Sequence, residues 1–137
     1  MNSRSEAFEV LQPAGWERPK GYSNGIAARG RQVYIAGQVG WDVAGRFPAT
    51  LAEQVGQALA NILAILAVAG GKPGHIVRLT WFITSREEYY AELPAIGAAY
   101  RAQMGKNFPT MSVVQVAALI EAGAKLEIEA TAVLPDS

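Results

Sequence analysis

Residues 108–132 read FPTMSVVQVAALIEAGAKLEIEATA, and the pattern inside this stretch decides the fold. Leu126, Ile128, Ala130, Ala132 and, just beyond, Leu134 alternate with Glu127, Glu129 and Thr131. A period of two with one apolar side is that of a strand half-buried on a core. The segment before it, led by Pro109 and rich in valine, also reads as a strand. The two together predict an antiparallel pair whose second member covers residues 124–134.

Working back along the chain, the first helix is announced by Thr50-Leu51-Ala52-Glu53, a capping box in which the threonine hydroxyl and the glutamate satisfy each other's orphan amides. Leu51, Val55, Leu59, Ile62, Leu63 and Leu66 then form one broad apolar stripe, and Gly70-Gly71 with Pro73 ends it. Residues 75–84 read as a strand with Val77, Leu79, Trp81 and Ile83 on its apolar face. A second capping box at Ser85–Glu88 opens a helix toward Met104, in which Pro94 imposes a kink or a later start. Nearer the N-terminus, residues 8–11 suit a short edge strand. Residues 22–28 and 32–39 suit a hairpin around Arg29-Gly30-Arg31.

Composition narrows the function classes. A chain of 137 residues is one domain's length, and a single domain over residues 1–137 is expected. Twelve basic residues balance twelve acidic ones, so no nucleic-acid footprint is expected. The absence of cysteine excludes disulfides, thiol nucleophiles and thiolate metal sites, and one histidine, His75, excludes a paired-histidine centre. No metal or cofactor is implied. The N-terminal MNSRSEAFEV lacks an apolar run of signal length, and no stretch matches a bilayer span of about 20 apolar residues. A cytoplasmic protein with no membrane partner is the expectation.

Several short motifs, in order, resemble the Rid family, the YjgF-type reactive imine/enamine deaminases. They are Tyr22-Ser23-Asn24-Gly25, Ile35-Ala36-Gly37-Gln38-Val39, Ala52-Glu53-Gln54, Pro109-Thr110-Met111-Ser112 and Lys125-Leu126-Glu127-Ile128-Glu129-Ala130. The resemblance runs from about Tyr22 to Val133. It implies an α+β, chorismate-mutase-like fold: a mixed sheet with two helices on one face, assembled as a homotrimer with small-molecule clefts between subunits. Strands apolar on both faces, such as Ile76 and Phe82 opposite Leu79 and Trp81, agree with a partner on the second face.

The resemblance makes Glu127 the catalytic candidate, positioning the water that attacks an imine carbon. On its residues alone, Glu127 reads equally as a solvated strand residue or an inter-subunit ion-pair partner, and Glu129 shares its side. Tyr22 corresponds to a cleft tyrosine that packs on the ligand, or is an ordinary strand tyrosine. Gly37 lets backbone approach a ligand, or serves a bulge. Trp41 and Trp81 read as core or interface residues.

The chain departs from the family where substrate is gripped. Met111 stands at the arginine that holds the substrate carboxylate, Val113 at a cysteine, and Gly97 at a pocket asparagine. Losing a buried charge-assisted pair costs about 2–5 kcal/mol, on the order of 30- to several-thousand-fold in affinity. Arg78 and Arg101 are the candidates to compensate. A pocket lined by Met111, Val113 and Gly97 is roomier and more apolar, and should favour a neutral, larger or aromatic ligand over a small 2-imino acid. Two functions follow: hydrolysis of such an imine or enamine, or ligand binding without catalysis. The ribonuclease label attached to the family fits a neutral chain with one histidine poorly.

Overall fold

The computed structural model describes residues 7–136. In chain order the elements are β1 (Phe8–Leu11), β2 (Gly25–Ala28), β3 (Arg31–Val39), α1 (Leu51–Val68), a 3-10 turn (Pro73–His75), β4 (Ile76–Ile83), α2 (Arg86–Ala91), α3 (Leu93–Met104), β5 (Thr110–Gln115) and β6 (Leu126–Leu134). The main sheet has the order β3-β6-β4-β5. β6 is antiparallel to both β3 and β4, and β5 runs parallel to β4. This is the mixed sheet of an α+β fold.

Two expected pairings are replaced. β5 and β6 are not neighbours: β4 lies between them, because the α2–α3 excursion returns the chain parallel to β4 rather than folding it back as a hairpin. The hairpin around Gly30 is not formed either. β2 pairs with β1, and β3 pairs with β6. Gly30 sits at φ +148°, where an added Cβ would lie 2.1 Å from the Leu134 carbonyl oxygen. The chain uses that glycine to change sheets under the end of β6.

α1 begins as its sequence demands. The Thr50 hydroxyl accepts from the Glu53 amide at 3.1 Å, and the Glu53 carboxylate accepts from the Thr50 amide at 3.2 Å. The second capping box is half formed: Ser85 Oγ accepts from the Glu88 amide, but the Glu88 carboxylate turns away to Lys125 Nζ at 2.8 Å. Pro94 resolves the expected helix into α2 and α3, occupying the first turn of α3, where its missing N–H costs nothing.

The core lies between the helices and one face of the sheet. Leu51, Val55, Leu59, Ile62 and Leu66 of α1 meet Leu79, Trp81, Leu126 and Ile128, closed by Ile96, Tyr100 and Met104 of α3. α1 has the length and hydropathy of a bilayer span, yet its buried side is this core stripe. In β4 the apolar phase differs from the expected one: a bulge between Ile76 and Arg78 puts Ile76, rather than Val77, among the fully buried residues. The face turned away from the helices carries Phe82, Glu127, Glu129, Thr131 and Tyr34, the last 72% exposed.

Gln54 is the one buried polar side chain among the described residues. Its amide donates to the carbonyls of Pro48 (3.0 Å) and Gly123 (3.1 Å), and its oxygen accepts from the Lys125 amide (2.8 Å). One side chain thus fastens the β3–α1 loop and the β5–β6 loop to the first turn of α1.

Candidate functional site

Glu127 and Gly37 are built as a pair. β3 pairs with β6 through Ile35↔Ala130 and then Gln38↔Ile128, so Ala36 and Gly37 form a bulge with no register partner on β6. An added Cβ at Gly37 would lie 2.1 Å from Glu127 Oε2 and 2.7 Å from its Cδ. The carboxylate occupies the volume a side chain would fill, so any larger residue at position 37 would displace it. Gln38 Nε2 donates to the Ala36 carbonyl at 3.0 Å and braces the bulge. Glu127 belongs to neither ion pair among the described residues, Arg46–Asp42 and Lys125–Glu88. Beside it on this face, Tyr34, Arg78, Thr80 and Glu129 border an open hollow of about 370 Å³.

A larger cavity, about 660 Å³, opens on the helix side between β4, β5, α3 and the segment before β2. Tyr22 is carried to it by a staple at the next residue. Ser23 N–H donates to the Pro109 carbonyl (3.0 Å), and Ser23 Oγ donates to that of Phe108 (2.5 Å). Met111 and Val113 reach it because their register partners on β4, Leu79 and Trp81, face the core. Gly97 and Arg101 lie one helical turn apart on α3, on the same side. The Arg101 guanidinium folds back over Gly97, with Nη1 3.2 Å from where a Cβ would be.

The walls are aromatic. Tyr100 and Phe108 stack with centroids 6.2 Å apart and planes at 12°, and Trp81 lies 6.4 Å from Tyr100 at 32°. Tyr100 is fixed by donating its hydroxyl proton to the Asn107 carbonyl at 2.6 Å. Tyr89 completes the wall, and burial pushes its phenol above the ordinary tyrosine range, with neighbouring Tyr90 adding to the shift. The volume is that of a small-molecule site. No group of three or more His, Asp or Glu side chains suited to a metal gathers among the described residues.

Of the six residues singled out from sequence, Tyr22, Gly97, Met111 and Val113 thus meet in the helix-side cavity. Gly37 and Glu127 meet each other on the opposite face of the sheet. Trp81 is both core and cavity wall. Tyr89, Tyr100 and Phe108 were not anticipated as lining residues. Both tyrosines fall within the helical stretch expected from Ser85 toward Met104, Tyr89 on α2 and Tyr100 on α3, but the sequence did not say what they faced.

A mixed four-stranded sheet backed by helices, with a small-molecule-sized cavity at its parallel edge, defines the class. The family model described as Endoribonuclease L-PSP matches residues 16–134, and the chain belongs to that family, the YjgF/Rid proteins. The 2-iminobutanoate/2-iminopropanoate deaminase of Escherichia coli K12 is 36% identical over 105 residues, 76% of this chain and 80% of that protein. Its counterpart from Capra hircus is 35% identical over 105 residues, covering 75% and 73%. Among solved structures, the Rid-family protein YyfB from Yersinia pestis superposes with a TM-score of 0.79 at 32% identity, covering 93% of this chain and 99% of that one. Escherichia coli TdcF with bound serine gives 0.67 at 31% identity, covering 92% and 98%.

Proposed function

We propose that this chain is a hydrolytic deaminase acting on an imine or enamine other than the small 2-imino acids, in a branch of the family where methionine replaces the usual arginine. The observation that carries the reading is the Glu127 carboxylate seated over Gly37. A carboxylate lying against a glycine bulge, in neither ion pair among the described residues, is suited to take a proton from water as the water oxygen bonds to the imine carbon. That proton goes to the imine nitrogen, giving a carbinolamine. Its hydroxyl then loses its own proton to the nitrogen by way of the carboxylate as the C–N bond breaks, so ammonia leaves with both water protons and a carbonyl remains. The deaminase names of the relatives support this reaction class.

The working form is proposed to be a homotrimer. Tyr34 and Val114, 72% and 43% exposed, leave an apolar component on the uncovered sheet face that a second subunit would bury. Ligand clefts would then lie between neighbours, with Tyr22, Gly97, Met111 and Val113 as binding residues. A second reading, a binding protein without turnover, is favoured by one observation: within a chain, Glu127 and the Met111 cavity occupy opposite faces of the sheet.

The test is hydrolysis of 2-iminopropionate, generated in situ by an amino-acid oxidase. Wild type should give no acceleration, Met111→Arg should gain activity, and adding Glu127→Gln should abolish the gain. Rapid hydrolysis by wild type would mean that Met111 does not remove the usual specificity. Inactivity of both wild type and Met111→Arg would favour the binding protein.

A further inference from the structure

The charge of the helix-side cavity is one-sided. Two cations, Lys20 and Arg101, line it, and no carboxylate does. Of the acidic residues of α2 and its C-terminal end, exposed Glu87 does not line the cavity, and the other two are engaged elsewhere. Glu88 pairs with Lys125 at 2.8 Å, and Glu92 accepts from the Ala52 amide at 3.0 Å. Arg101 takes part in neither ion pair among the described residues, and its Nη1 lies 3.2 Å from where a Cβ on Gly97 would be. A guanidinium with its fork unused, beside a cavity free of acids, is a receptor for a planar anion.

The walls specify the rest of the ligand. Trp81, Tyr100 and Phe108 form a run of rings within about a third of a right angle of parallel, with planes at 32° and 12° to their neighbours. Such a wall packs best against a flat, conjugated body. Trp81 is 3% exposed, and its indole Nε1 is buried with no hydrogen-bond partner among the described residues. An unpaired buried donor on the wall of a cavity is a group that a ligand's polar atom can satisfy. Met111 adds a soft, polarizable surface suited to an aromatic edge.

We infer that this cavity takes a planar aromatic carboxylate, its ring against Trp81 and Tyr100 and its carboxylate on Arg101. The cation missing from β5 is thereby supplied by α3. The inference rests on the proposed function insofar as it names the substrate class of the deaminase: an imine or enamine of an aromatic or conjugated acid, charged rather than neutral. A small 2-imino acid would hold Arg101 without filling the aromatic wall.

Calorimetric titration of the full chain with trans-cinnamate, trans-cinnamamide and propionate tests it. Cinnamate should bind on the order of tenfold more tightly than either comparator. Arg101→Gln, an exposed substitution, should reduce cinnamate to the level of the amide while leaving the amide unchanged. Equal binding of cinnamate and cinnamamide, survival of the preference in Arg101→Gln, or no binding of cinnamate at millimolar concentration each overturns the inference. Glu127-dependent imine hydrolysis without cinnamate binding sinks this inference and leaves the deaminase. Arg101-dependent binding without turnover of any aromatic imine upholds the ligand class and sinks the deaminase.

Discussion

Replacing Gly37 by alanine should disable Glu127 without unfolding the protein. The new methyl carbon would begin 2.1 Å from Oε2 and 2.7 Å from Cδ. Ordinary heavy-atom contact is about 3.5 Å, so the carboxylate must move by more than about 1 Å. The obstructing atoms are the end of a flexible side chain on an open face, so the stability change should stay within about 1 kcal/mol. A displacement of about 1 Å at a reacting group can cost on the order of 10²-fold in rate. The assay is initial-rate imine hydrolysis in the Met111→Arg background, with urea midpoints measured alongside. Gly37→Ala should lower kcat on the order of 10²-fold at an unchanged midpoint. It should add nothing in a chain already carrying Glu127→Gln, because both substitutions remove the same positioned carboxylate. A rate within twofold of the parent would refute the reasoning. Independent, additive losses would show that Gly37 acts through its own amide rather than by making room.

Other substitutions test the scaffold. Gln54→Leu removes three hydrogen bonds from a residue 1% exposed and strands the Lys125 amide; a loss of about 2–4 kcal/mol should appear as a lower urea midpoint at constant m-value. Gly30→Ala puts its new Cβ 2.1 Å from the Leu134 carbonyl oxygen, a backbone atom, at φ +148°. It should cost about 3 kcal/mol or more. Gly45→Ala, at φ +79° in open space, should cost only about 1 kcal/mol by thermal melting, and equal losses at the two sites would show that φ alone governs both.

Much of this architecture was written in local patterns. The alternation from Leu126 to Leu134 and the capping box at Thr50 need only neighbouring residues to be read, and both stand as expected. Strand order was less legible. A period of two states which face is buried but not which strand is adjacent, so β5 was paired with β6 rather than with β4. The bulge at Val77 is invisible for a similar reason: Ile76 and Val77 are both apolar, and only pairing with β6 decides which turns inward. At the candidate site, four of the residues picked by motif share one cavity. That Gly37 and Glu127 touch each other instead depends on a bulge no local pattern announces. Arg101 was one of two compensating cations in view, and the helical offset from Gly97 was the available signal for choosing it.

The strand order β3-β6-β4-β5 has a consequence for how the chain is made. β6 is the last described strand in chain order, yet it is the only partner β3 has in the main sheet and one of two for β4. On the ribosome, β4 and β5 can pair as soon as both emerge, but β3 must wait for Leu126–Leu134. Until then the apolar stripe of α1 has half its platform missing. Folding is therefore governed by closure of a loop running from β3 to β6, a high contact order that slows the final step. During that interval the nascent chain exposes the same surface that later forms its core, which is when a chaperone has the most to bind.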